Sequence, residues 1–227
     1  MKAFFQILTS SLGKKYIMAI TGFGLVGFVI IHMLGNLQIF LGAETLNTYA
    51  KLLKSSAEVL WGFRLGLLGM AVLHIVCAIS LVLDNRRARP AGYVKERNLS
   101  SWASRTMIVS GLIVSAFVIY HILHFTVQVT DPSYQNLTTE LHGQEVHDVY
   151  RMVIQGFSNP YISAFYILSV GLLSWHLSHG ISSMFQSIGL RNQRSARLLD
   201  LIALGLSTLI FLGMSSVPAA VLLKIVS

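Results

Sequence analysis

Charge is what this sequence has least of. Of its 227 residues, 11% are charged and 54% hydrophobic, with a mean hydropathy of +0.65. A soluble domain carries roughly 25% charged residues, so this chain has no means of covering a water-facing surface of its size. Cysteine is nearly absent as well. The lone Cys77 excludes an internal disulfide and an iron–sulfur cluster, which takes about four thiolates or a thiolate–imidazole mixture. It reads as a small core residue. No cleavable leader is expected either. The apolar run after Lys14 and Lys15 is about 25 residues, too long for a signal-peptide core, and no A-x-A site follows it.

What the sequence has is long apolar runs. A bilayer core needs about 20 apolar residues in a helix. Five stretches meet that length: Ile17–Leu41, Trp61–Leu83, Thr106–Val129, Tyr161–Ile188 and Leu199–Val226. Lipid offers no partners to backbone groups, so each must be helical, and none has the short alternating pattern of a membrane β-strand. The expected fold is all-α, one membrane domain of five transmembrane helices spanning residues 1–227.

The net charge is +8 with a pI near 9.8. In a soluble protein that surplus would suggest nucleic acid. Here the cations stand in short segments between apolar runs, which sets orientation instead, and no nucleic-acid partner is expected. One side carries Lys2, Lys14, Lys15, Arg86, Arg87, Arg89, Lys95, Arg97, Arg105, Arg191, Arg194 and Arg197 against Asp84, Glu96 and Asp200. The other carries Lys51, Lys54, Arg64, Arg151 and Lys224 against six acids. The basic side is therefore cytoplasmic, with the N-terminus inside and the C-terminus outside. The longest connection, from about Thr130 to Pro160, is acidic and lies outside. Its His142 and His147 read as residues of a solvated loop rather than as a surface metal site.

Six of the eight histidines fall inside spans: His32, His74, His121, His124, His176 and His179. Ionisable residues within a membrane are functional candidates by default. The first and third spans run outward, with His32 and His121 each about 15 residues in; the second and fourth run inward, with His74 and His176 about 13 and 15 residues in. At about 1.5 Å per residue this gives two levels differing by roughly 10 Å, with His32 and His121 on the outer one and His74 and His176 on the inner one. Two neutral imidazoles per level are the axial donors of a haem iron. With no C-x-x-C-H in the chain, such haems would be of b type. Core histidines bridging helices and a proton relay or transporter compete with this reading. A relay would more often add carboxylates at mid-depth, and no span has an Asp or Glu near its middle.

An internal repeat selects among the doubled histidines. Thr21-Gly22 precedes His32 as Ser110-Gly111 precedes His121, with nine residues between in both cases. That offset is about three helical turns, so hydroxyl and histidine share a face, and the glycine clears space for something flat. This favours His121 over His124. His74 has Ala78 four residues on and His176 has Gly180. A small residue one turn from the ligand favours His176 over His179, although depth suits His179 slightly better. His124 and His179 are left to contact a haem propionate or a quinone, or to bridge helices.

These residues stand in stretches that resemble a known family. They are SSLGKKYIMAITG, IIHMLGN around His32, GAETLNTYAKLL, VLHIV at His74, VIYHILHF at His121, and VIQGFSNPYISAFYILSVGLLSWHLSHGISSMFQSIG. Together they resemble the single-chain, five-helix, di-haem cytochrome b membrane anchor of succinate dehydrogenase and fumarate reductase, and the likeness runs over essentially the whole chain. It implies haem ligands at His32, His74, His121 and His176. The pattern H-x-x-x-G at His176 and Gly180, thirteen residues before Gly189, is its most specific part and excludes His179. It also implies an anchor that is no enzyme on its own. Such an anchor passes electrons between an iron–sulfur subunit and a membrane quinone, while a flavoprotein subunit handles the dicarboxylate. Two haems in one chain resemble the menaquinone-using members, in a bacterial cytoplasmic membrane. A di-haem anchor of a hydrogenase or formate dehydrogenase, and a haem-free transporter, are the alternatives. The cytochrome b of the quinol–cytochrome c complex pairs histidines about thirteen apart on one helix, and no helix here does so. Two stacked haems would leave the quinone at the outer end, where proton exchange needs a titratable group; Glu44, Glu58 and His124 are the candidates.

Overall fold

The computed structural model describes residues 10–88 and 102–227, with side chains from residue 106 in the second segment. Lys2, Arg89, Lys95, Glu96 and Arg97 lie outside the described residues, as does the side chain of Arg105. The chain is helical in the main. In order come α1 (Ser11–Leu37), a 3-10 turn (Gln38–Leu41), α2 (Ala43–Leu53), α3 (Ala57–Arg87) and α4 (Trp102–His121). A π-helical turn (Ile122–Thr126) extends α4, and a second 3-10 turn (Pro132–Asn136) follows. Then come strands β1 (Thr138–Leu141) and β2 (Gln144–His147), and helices α5 (Val149–Phe157), α6 (Pro160–Ser187) and α7 (Ala196–Leu222).

Five of these helical segments are long and apolar enough to cross a membrane: Ser11–Leu41, Ala57–Arg87, Thr106–Thr126, Pro160–Ser187 and Ala196–Leu222. Many of their large apolar side chains are exposed, Ile20, Phe23, Phe63, Leu68, Leu168 and Leu209 among them. Water would not tolerate that surface and lipid would; the chain is a multi-pass membrane protein.

Local chemistry sets the helix ends. Ser10 Oγ accepts from Gly13 N at 3.0 Å and Ser56 Oγ from Val59 N at 3.3 Å, so hydroxyls cap α1 and α3. Glu58 in the first turn of α3 and Arg86 and Arg87 in its last complement the helix dipole. These charges keep α3 helical beyond the apolar run Trp61–Leu83 at both ends. Asn159 Oδ1 accepts from Tyr161 N at 2.9 Å, and Pro160 occupies the first position of α6, where its missing N–H costs nothing. Gly189 ends the same helix at φ 81°, with Leu190 N donating to Phe185 O and Gly189 N to Gln186 O. That is a Schellman closure, and it requires the left-handed residue.

The two connections read from sequence as loops contain regular structure. Ala43–Leu53 is helical with Leu46 and Asn47 buried. Within Thr130–Pro160, β1 and β2 pair antiparallel with Leu141 opposite Gln144. His142 and Gly143 both have positive φ (53° and 75°), the signature of a tight two-residue hairpin turn. Asp148 caps α5 by accepting from Arg151 N at 3.0 Å, and α5 buries Met152, Val153, Gly156 and Phe157.

The chain divides into two compact units, and the long helices contribute to both. The first holds residues 1–28, 64–111 and 175–207; the second holds 29–63, 112–174 and 208–227. The second unit has a core of Ile39, Phe117, Phe157, Tyr166, Val170 and Val221 with their neighbours.

Candidate functional site

The six histidines of the spans divide between the units. His74, His176 and His179 belong to the first, and His32, His121 and His124 to the second. Each expected ligand pair therefore falls within one unit.

In the first unit, His74 of α3 meets α1. Its Nδ1 lies 3.2 Å from Thr21 Oγ1 and 3.2 Å from the Met18 carbonyl. His176 of α6 meets α4 in the same way, with Nδ1 3.1 Å from Ser110 Oγ. The glycines beside the hydroxyls make room. A Cβ at Gly22 would stand 3.3 Å from His74 Cε1, and one at Gly111 would stand 3.3 Å from His176 Cε1. Thr21 and Ser110 are both buried. The repeat thus serves the histidine of the neighbouring helix. The flat object for which Gly22 and Gly111 clear space here is an imidazole ring.

The other candidates of this unit sit apart from those hydroxyls. His179 Nε2 is 3.0 Å from Ser183 Oγ on its own helix. Near it, Asp200 accepts from Ser182 Oγ at 2.5 Å and from Arg191 at 2.9 Å. A Cβ at Gly180 would just reach Met107 Cε, at 4.0 Å. Cys77 is free and buried.

In the second unit the rings of His32 and His121 lie with centroids 5.7 Å apart at an interplanar angle of 82°. Asn36 Nδ2 is 3.3 Å from His32 Nε2 while donating to the His32 carbonyl at 2.8 Å. An amide nitrogen only donates, so His32 Nε2 accepts. His121 Nδ1 is buried with no hydrogen-bond partner. Its ring packs against Phe117, Phe125 and Tyr166.

His124 has a different environment. The chain leaves α-geometry after His121, and Val127 N donates to Ile122 O five residues back. This π-helical turn, a feature frequent at functional sites, changes the angle between two histidines only three residues apart. His124 is 1% exposed. Its Nδ1 is 2.8 Å from Tyr166 Oη and its Nε2 3.4 Å from Tyr134 Oη. Tyr120, Phe125 and Tyr134 pack against the ring. Both nitrogens are engaged, and the histidine ties α4 to α6 and to the 3-10 turn of Tyr134.

Glu44 and Glu58 lie in the first turns of α2 and α3 and are exposed. Glu44 stands 3.7 Å from His142 Nε2 and lines a surface depression with Gln38, Thr48, Tyr49 and His142. Glu58 accepts from Ser56 Oγ at 2.8 Å. Neither acid has a contact to His124. His147 takes a hydrogen bond from Gln128 Nε2 at 3.1 Å, and burial, with Lys54 nearby, pulls its pKa below the ordinary value. Burial raises the Tyr134 phenol. The hydroxyl and N–H of Ser133 hold the Asp131 carboxyl below its usual range.

Among the described residues no group of three or more His, Cys, Asp or Glu could hold a metal ion. A bis-histidine haem iron asks for two, and here the donor chemistry fits. Each unit supplies two imidazoles from different helices. Within the second unit the rings of His32 and His121 come from different helices and lie close to one another.

A family model described as succinate dehydrogenase/fumarate reductase transmembrane subunit matches residues 82–214, more than half of the chain. That range contains Ser110, His121 and His176 and begins after Thr21, His32 and His74. No curated protein and no solved structure matches the chain.

Proposed function

The chain belongs to the succinate dehydrogenase/fumarate reductase transmembrane subunit family, and we propose that it is the di-haem electron-transfer anchor of such a complex. The family works with a flavoprotein and an iron–sulfur subunit, so dicarboxylate chemistry belongs to those partners. This chain would carry electrons between the iron–sulfur subunit and a quinone, menaquinone by resemblance, in a bacterial cytoplasmic membrane with its N-terminus inside. The observation that carries the reading is the separation of four histidines into two pairs, each within one compact unit. His74 and His176 would hold one b haem, and His32 and His121 the other. Haem iron between two neutral imidazoles supplies a one-electron carrier. The protein's part would be to present one ring-nitrogen lone pair from each histidine, to keep the rings from turning and to exclude water. The family match supports the dicarboxylate-linked complex over a hydrogenase or formate dehydrogenase anchor. The lack of mid-span carboxylates speaks against a transporter.

For the quinone we favour Glu44 over the other two candidates. Its carboxylate is exposed beside Gln38, Thr48, Tyr49 and His142, whereas both nitrogens of His124 are engaged by tyrosines and Glu58 is bonded to Ser56.

A pyridine haemochrome assay on the purified complex tests the assignment. The expected ratio is two haems per chain, falling to one with His74→Ala or His176→Ala and likewise with His32→Ala or His121→Ala. His124→Ala and His179→Ala should keep both. A wild-type ratio near zero ends the reading. Haem loss from His124→Ala with retention in His121→Ala would move the ligand to His124.

A further inference from the structure

We propose that Thr21 and Ser110 are positioning residues, each locking the imidazole of another membrane helix in the Nδ1–H tautomer so that Nε2 stays free to bind iron. The repeat Met-x-x-Thr/Ser-Gly, at Met18–Gly22 and Met107–Gly111, is then one imidazole cradle used twice. The proposal rests on the assignment of His74 and His176 as ligands of one haem.

Proton counting carries it. Thr21 Oγ1 lies 2.7 Å from the Ile17 carbonyl, and Ser110 Oγ lies 3.1 Å from the Met107 carbonyl. A carbonyl only accepts, and each hydroxyl can place its single proton there. Toward the ring nitrogens, at 3.2 and 3.1 Å, the hydroxyl oxygens are left to accept. The Met18 carbonyl at 3.2 Å from His74 Nδ1 makes the same demand. His74 Nδ1 therefore carries hydrogen, as does His176 Nδ1 when Ser110 donates to the Met107 carbonyl, and a neutral imidazole then has its lone pair on Nε2.

The glycines make the cradle specific. At both positions an added Cβ would meet the same ring atom, Cε1, at the same 3.3 Å. Cε1 joins the two ring nitrogens, so a methyl there pushes the ring off its hydroxyl. The second unit is built differently. His121 Nδ1 has no hydrogen-bond partner, and the contact from Asn36 reaches His32 through Nε2.

An acceptor on Nδ1–H makes Nε2 a more basic ligand and favours ferric over ferrous iron. Removing the acceptor should raise the potential of one haem and leave the other unchanged. Ser110→Ala removes the hydroxyl from His176, whereas in Thr21→Val His74 keeps the Met18 carbonyl, so Ser110→Ala should have the larger effect.

The test is potentiometric titration of the haem bands in membranes holding the assembled complex, with haem content measured alongside. Ser110→Ala should shift the ferric/ferrous ratio of one haem at fixed potential at least threefold, about 28 mV at 59 mV per tenfold for one electron. Thr21→Val should shift it less in the same direction, and Thr21→Ser and Ser110→Thr should behave as wild type. The haem that moves should be the one lost in His74→Ala. Haem loss from both Ser110→Ala and Thr21→Val, with retention in the Ser/Thr exchanges, also supports a role specific to the hydroxyl. Intact haem with both potentials unmoved in the Thr21→Val/Ser110→Ala double variant overturns the proposal and leaves the ligand assignment standing. Retention of both haems in His74→Ala overturns the assignment itself.

Discussion

Asn47 is a buried amide that ties the segment after α1 to the segment before α6, and its removal has a calculable cost. It is 3% exposed. Its Nδ2 donates to Asp148 Oδ1 at 3.0 Å and its Oδ1 accepts from Tyr150 N at 3.0 Å. The same Asp148 oxygen caps α5 through Arg151 N. Asn47→Ala deletes one hydrogen bond to a carboxylate, worth about 1.5–3 kcal/mol, and one neutral bond, worth about 0.5–1.5 kcal/mol. The local cost is then roughly 2–4 kcal/mol. At 1.4 kcal/mol per tenfold, amide exchange in α2 and α5 should accelerate on the order of 30- to 1,000-fold, with the membrane helices unaffected. Asn47→Asp keeps an acceptor for Tyr150 but sets a second carboxylate against Asp148. At roughly 4 Å and an effective dielectric of about 20, that repulsion is about 4 kcal/mol. Acidification lets such a pair share one proton, so the Asp variant should recover protection as pH falls and the Ala variant should not. Exchange in Asn47→Ala within about threefold of wild type would refute the clasp.

Two further outcomes concern the complex. Arg86 and Arg87 end α3 beside a segment rich in cations, and orientation alone could account for them; if they also seat the iron–sulfur subunit, charge reversal at both should lower its retention on purification, more so at high salt. Unchanged retention leaves them the topological role. If the quinone reacts at the outer face near Glu44, succinate–quinone turnover in reconstituted vesicles should respond to an uncoupler and to an imposed potential, and Glu44→Gln should slow turnover while keeping both haems. Turnover insensitive to both would put the quinone on the cytoplasmic side.

The spans and their histidines were legible because lipid imposes length and polarity rules that a single sequence cannot hide. What lay between spans was not. Thr138–Leu141 and Gln144–His147 lack a clean apolar alternation, and only the His142–Gly143 turn signals the hairpin. The turn at Ile122–Thr126 adopts a π-helix through backbone bonds that no residue preference announces, and His121 and His124 on its two sides have different surroundings.

The repeat shows where periodicity reaches its limit. Thr21 and His32 share a helix face, but eleven residues at about 1.5 Å each put them roughly 16 Å apart along the axis, beyond any contact. Periodicity reports a face; it does not report which neighbour stands opposite at that depth. A side chain on a long helix can touch only what lies within about one turn of its own level, so a histidine that meets Thr21 had to come from another helix. The short bonds from His74 to Thr21 and from His176 to Ser110 supply that missing coordinate. They turn a pair of like-spaced motifs from a description of two helices into a description of what holds the histidines of their neighbours.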